Sequence, residues 1–210
     1  MKTMTVEQVT DMIIYACDAI IENKPYLTDI DSAIGDGDHG IGMAGGMAKA
    51  KEALLAERPF PDVNAVFKTT GMSMLNSIGG ASGVIFGTMF LGGVKGMGAL
   101  SLAKLMRGSL EAVKERGKAQ PGDKTMVDAL ELAVLAMENS TGDDLPAALA
   151  AAKDAAHKGV EDTKQYVAKY GRAKSLLERA IGHQDAGATS VAIIFEAMHS
   201  YAANAAEADA

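Results

Sequence analysis

Residues 191–195 read VAIIF, and whether this run is a strand or part of a helix decides the fold. Its β-branched and aromatic residues suit a strand. Read outward, however, Val191, Ile194, Phe195 and Met198 recur at steps of three and four, the period of one buried helix face. Nowhere else do β-branched residues alternate enough to compete, so the expected class is all-α.

The rest of the chain agrees with that period. Val6, Val9, Ile13, Ala16 and Ile20 form the apolar face of a first helix, with a capping box at Thr5 and Gln8 and an end marked by Pro25. A second helix starts within the glycine run and turns Met43, Met47, Leu54 and Leu55 inward. A third follows Asp62, with Val63, Val66, Phe67, Thr70 and Met74 on one side. The segment SGVIFGTMFLGGVKGMG (82–98) is apolar nearly all round, as expected of a central helix approached closely at its glycines. Leu102, Leu105, Met106, Leu110 and Val113 mark another helix, as do Val127, Leu130, Val134 and Met137. An alanine-rich helix begins at Leu145, and the tail YAANAAEADA (201–210) is expected to fray. The expectation is a single domain over 1–210 with about eight amphipathic helices.

Hydrophobic residues make up 48% of the chain and charged ones 22%, ordinary values for a globular protein. The formal net charge of −7 argues against a nucleic-acid binder, which needs a basic face to replace phosphate counterions. Cys17 is the single cysteine, so no disulfide framework exists. MKTMTVEQ (1–8) has no apolar signal region, and the apolar run near Val84 to Val94 is too short and glycine-rich to span a bilayer. A cytoplasmic protein without nucleic-acid or membrane partners is expected.

Three loops carry the unusual chemistry, and each precedes an expected helix. DSAIGDGDHG (31–40) crowds Asp31, Asp36 and Asp38 among glycines, an arrangement whose repulsion is relieved either by solvent, as in an acidic turn, or by a bound cation. GGASG (79–83) and GHQDAGATS (182–190) are either plain helix caps or anion sites, since helix N-termini expose N–H groups and a partial positive charge. Together the three suggest a metal–phosphate site, with hard carboxylate oxygens suited to Mg²⁺. GIGMAG (40–45) matches a dinucleotide fingerprint literally, but no strand precedes it. No phosphate-loop or protein-kinase signature is present, and the aspartates miss the EF-hand register. His39 and His183 lack the spaced partners of a metal site and are expected to make hydrogen bonds instead.

IGDGDHG (34–40), TGMSMLNSIGGASG (70–83), RGKAQPGDKTM (116–126) and GRAKSLLERAIGHQDAGATS (171–190) resemble the nucleotide-binding L subunit of bacterial dihydroxyacetone kinase, over nearly the whole chain. That resemblance implies a barrel of eight antiparallel helices with the nucleotide at one end. It implies two Mg²⁺ ions on Asp31, Asp36 and Asp38, and nucleotide contacts from His39, Gly40, Ile41, Gly42, Ala81, Ser82, Gly117, Met126, Arg172, Asp185, Ala186 and Gly187. Arg172 is the candidate catalytic residue, balancing phosphate charge. Some members carry asparagine at the position of Gly42 and proline at that of Ala186, which removes one polar contact and some loop rigidity here.

The implied activity is that of a phosphoenolpyruvate-glycerone phosphotransferase. ADP stays bound as a coenzyme, a phosphohistidine protein (M subunit) of the phosphotransferase system converts it to ATP, and the phosphoryl group passes to dihydroxyacetone on a separate K subunit. The alternatives are an ATP-dependent kinase subunit for another small ketose and a regulatory protein that signals its nucleotide state. The oligomeric state is open, a homodimer being one option.

Overall fold

The computed structural model describes residues 4–94, 102–140 and 144–208. Among them are α1 (Val6–Glu22), α2 (Lys24–Ile34), α3 (His39–Glu57), α4 (Val63–Ser77), α5 (Gly80–Gly92), α6 (Leu102–Gly117), α7 (Met126–Asn139), α8 (Leu145–Thr163) and α9 (Ala186–Ala208). A 3-10 segment, Arg172–Ala180, interrupts the connection between α8 and α9. No strand occurs among the described residues, and the all-α expectation holds. The VAIIF run lies inside α9.

Helix α1 packs on α3, and neighbours then follow in chain order to α9, which closes back on α1. Eight helices therefore form a ring, and α2 lies outside it, against α3 and α9. Helices α4, α6 and α8 finish at the end of the ring where α5, α7 and α9 begin, so successive members run antiparallel. Phe67, Phe90 and Phe195 lie within the core with Met12, Met43, Met47 and Met74. The rings of Phe67 and Phe90 are 6.0 Å apart, joining α4 to α5.

The start signals of α1 and α4 work as their sequences imply. Gln8 N–H donates to the Thr5 hydroxyl at 3.1 Å, while Thr5 N–H donates to the Gln8 side chain at 2.9 Å. The Asp62 carboxylate caps α4 by accepting from Ala65 N–H at 2.8 Å.

Four expectations need correction. Pro25 opens a helix instead of closing one: α1 ends at Glu22, and Pro25 occupies the first turn of α2, where its missing N–H costs nothing. Asp31 therefore sits in the last turn of α2. Leu55 is 50% exposed, because α3 presents Met47 and Leu54 to the core and turns Leu55 outward. The apolar helix α5 is a ring member between α4 and α6, not a central one. Its glycines explain its composition: a Cβ on Gly71 of α4 would stand 2.8 Å from the Gly87 carbonyl, so these helices meet through bare backbone. Residues 95–98 of the expected helix lie outside the described residues. Finally, the tail remains helical to Ala208, with Ala202 fully buried; residues 209 and 210 lie outside the described residues.

Candidate metal and phosphate site

The alternating ring brings the N-termini of α3, α5, α7 and α9 to one end, where they border a cleft of about 520 Å³. Unpaired N–H groups and aligned peptide dipoles make such an end electropositive. Against it stand three carboxylates. Asp31, Asp36 and Asp38 offer oxygens that all lie within 4.8 Å of one another, which fits a hard divalent cation.

Backbone geometry sets this cluster. Asp31 ends α2 and accepts the His39 N–H at 3.2 Å, tying the end of one helix to the start of the next. Between them Gly37 adopts φ +76°, which turns the chain so that Asp36 and Asp38 face Asp31. The carboxyl of Asp38 sits above its ordinary pKa, through desolvation first and then repulsion from Asp36 and Asp31. That repulsion disappears when a cation is bound. Arg172 Nε lies 2.7 Å from Asp36, with its side chain 77% exposed, and is placed to serve cluster or phosphate.

His39 is buried, and its Nε2 lies 2.8 Å from Ser190 Oγ, with a further hydrogen bond to the Ala186 backbone. Burial holds its pKa below the ordinary value. A neutral imidazole thus joins the start of α3 to the start of α9, as a strut between two N-termini.

At α9, the Asp185 carboxylate accepts from Ala188 N–H at 2.7 Å, and burial raises its pKa to about 7. Because the folded value exceeds the unfolded one, the protonated form is favoured on folding. This contribution is complete below the unfolded value near 3.8 and is lost as pH rises through about 7. Asp185→Asn keeps an acceptor for Ala188 and removes the charge. Access to the cleft tempers the effect, so we expect the variant to gain about 1 kcal/mol over the parent at pH 8 and nothing near pH 4, measured by urea denaturation at both.

The cleft receives Asp31, Asp36, Asp38, His39, Ala81, Ser82, Met126, Arg172, Asp185, Ala186 and Gly187 of the residues expected from sequence. Gly40, Ile41, Gly42 and Gly117 do not line it. Gly40 serves packing, since a Cβ there would stand 2.4 Å from the Lys24 carbonyl of α2. Ile41 is 56% exposed, Gly42 faces Ile78, and Gly117 backs onto Ile85, which itself borders the cleft. Sequence reading missed Lys124 and Thr125. For Thr125 the signal was there, because Thr125 and Asp128 form a capping box, T-x-x-D, at the start of α7.

A second groove, about 590 Å³, runs along the sides of α1, α8 and α9. Of its four carboxylates Asp18, Glu161 and Glu196 are paired, with Lys51, Lys164 and His157, while among the described residues the acidic group close enough to hold a cation, Asp31, Asp36 and Asp38, lies in the first cleft. No helix among the described residues is long and apolar enough to cross a membrane.

Comparison with known proteins gives the family. The family model described as "DAK2 domain" matches residues 33–200. The ADP-binding subunit DhaL of the PEP-dependent dihydroxyacetone kinase 1 of Listeria innocua is 44% identical over 84% of this chain and 87% of its own length. The DhaL subunit of Escherichia coli is 38% identical, over 91% of this chain and 94% of that one. In three dimensions the chain is similar to the dihydroxyacetone kinase from C. freundii in complex with AMP-PNP and Mg²⁺. There the TM-score is 0.76 and the identity 27%, across 94% of this chain and 34% of that one. With the match over most of its length and relatives of nearly its own size, this chain belongs to the DAK2 domain family and is similar to the ADP-binding subunits of bacterial dihydroxyacetone kinases.

Proposed function

We propose that this chain is the nucleotide-binding subunit of a dihydroxyacetone kinase, holding ADP or ATP with Mg²⁺. The observation that carries the reading is the opposition of three carboxylates to four helix N-termini across one cleft. A nucleoside diphosphate bridged by divalent cations satisfies both sides at once. Asp31, Asp36 and Asp38 would hold the cations, two in number. Bound there, Mg²⁺ supplies neutralisation of phosphate charge and polarisation of phosphoryl oxygens.

The chain's own groups do the rest. Backbone N–H groups at Ala81–Ser82 and Ala186–Gly187 donate to phosphate oxygens, and the Ser82 hydroxyl adds a donor. Met126 and Phe86 give apolar surface beside them. Arg172 turns from Asp36 toward the phosphates and balances their charge. Phosphoryl transfer depends mainly on positioning and charge neutralisation, so no nucleophilic side chain is needed. The acceptor is dihydroxyacetone held by a separate K subunit, the donor a phosphohistidine protein (M subunit), and the place of action the cytoplasm.

The isolated chain is therefore inert toward dihydroxyacetone and active once the K subunit is added, with its nucleotide recycled in place. Protein loaded with labelled ADP should keep the label while a phosphorylated donor protein drives turnover. Rapid label loss, with turnover driven by free ATP, would move the assignment to an ATP-dependent kinase subunit. An acceptor other than dihydroxyacetone is the second reading, favoured by similarity to the L-erythrulose kinase of Pectobacterium atrosepticum. That protein is 37% identical over 87% of this chain, which spans 32% of its length. Turnover with dihydroxyacetone and L-erythrulose side by side separates the two.

A further inference from the structure

Residues 164–183 leave the end of α8, carry Arg172 to the cleft, and return to the start of α9. The ends of this excursion meet where Gly182 N–H donates to the Lys164 carbonyl at 2.7 Å. Behind that closure stands Lys124, only 1% exposed. Its ammonium donates to the Thr163 carbonyl at 2.6 Å and to the carbonyl of His183, so one side chain holds both ends of the loop.

A lysine is a costly choice for such a place. Burial lowers its pKa, against the opposing pull of Asp185 and Asp128. Its backbone, at φ +60°, occupies the left-handed region that side-chain-bearing residues rarely enter. A methionine would fill the space without desolvating a charge, but the His183 carbonyl would lose its donor and the Thr163 carbonyl would keep only the Tyr166 N–H at 3.2 Å.

The same grip reaches α9, because the Thr163 hydroxyl accepts the Asp185 N–H at 3.0 Å. The rest of the loop is held independently. Lys169 N–H donates to the Asp123 carbonyl at 3.1 Å, its ammonium lies 2.6 Å from the Asp123 carboxylate, and the Tyr170 hydroxyl donates to the Lys118 carbonyl at 3.0 Å. Underneath, Ala168 and Ala180 pack on Ile34.

We propose that Lys124 is a positioning residue for the nucleotide site: by holding the Thr163 and His183 carbonyls together, its ammonium fixes where the loop sets Arg172 and where α9 begins. The inference rests on the nucleotide-binding reading of the cleft. It places Lys124 outside direct contact with the reacting atoms and makes it act through Arg172 and the Asp185–Gly187 turn.

The test uses the full chain with Lys124→Met. The loop's other ties keep it on the fold, so we expect a folded protein whose Gly182 and Asp185 amides exchange about tenfold faster and whose Mg-ADP affinity falls about tenfold. Because Lys124 acts partly through Arg172, its loss and that of Arg172→Ala should be less than additive in the double variant, a coupling that a general loss of stability would not produce. Full additivity, or amide exchange equal to that of the parent, overturns the proposal. Exchange needs no ligand, so a parent that fails to bind Mg-ADP would remove the functional reading while the exchange result still decides the role of Lys124. Should Lys124→Met fail to fold, Lys124→Gln, whose shorter side chain keeps a donor but does not bridge both carbonyls, is measured in the same way, and parent-like exchange in it again overturns the proposal.

Discussion

Asp38→Ala abolishes Mg-ADP binding and leaves the empty protein as stable as the parent, or more so. The carboxylates of Asp31, Asp36 and Asp38 repel one another, and the Asp38 carboxyl is pushed up by desolvation first and by that repulsion second. Removing one charge relieves the empty state by a few tenths of a kcal/mol up to about 1 kcal/mol, while the cation loses a ligand. Asp36→Ala behaves alike in binding, but it also breaks the contact with Arg172. That pair is largely exposed, so its loss costs little, and the net change in stability is near zero. Asp31→Ala differs, because Asp31 also accepts the His39 N–H that joins α2 to α3; it loses binding and stability together. Titration calorimetry on the folded variants, paired with denaturation curves, reads both quantities. Binding retained in both Asp36→Ala and Asp38→Ala would place the cation elsewhere.

The largest effect on stability is expected at Phe195, within the run whose reading decides the fold. Its ring is fully buried where α9 meets the core, and Phe195→Ala should cost about 3–5 kcal/mol through lost burial and the cavity left behind. Glu196, the next residue, faces outward and pairs with a half-exposed His157, so Glu196→Ala should change stability by less than about 0.5 kcal/mol. Equal effects at the two positions, measured by urea denaturation, would contradict the packing of α9.

These residues also show what a sequence can and cannot display. The helical period is legible wherever one face is buried, as at Val66, Phe67, Thr70 and Met74 of α4, because burial selects the residues that carry the pattern. It fades in α9. There Ala188 to Phe195 are all buried, so the apolar run at 191–195 blurs the stripe and looks like a strand. The expectation of a central helix went to the apolar segment at 82–98, in which Gly87 and Gly92 serve close contacts with α4 and α6. Helix α2 stayed hidden for the opposite reason: it buries only Leu27 and Ile34 and opens with a proline, so little of its period is written.

The site divides similarly. Asp31, Asp36, Asp38 and the glycine turns are legible because like charges and glycines need a local reason to cluster. Lys124 was not, since a lysine in a polar turn reads as a solvated one. Only the fold brings the Thr163 and His183 carbonyls to it, from 39 and 59 positions away.

The central claim is that carboxylates and helix N-termini form one site that needs metal and nucleotide together. It is tested most directly by thermal unfolding of the chain alone, with Mg²⁺, with ADP, and with both. With the pair at free concentrations near 100 times Kd, stabilisation should be about 2.7 kcal/mol, well beyond the sum of the two separate effects. Melting curves that are identical in all four conditions would contradict it.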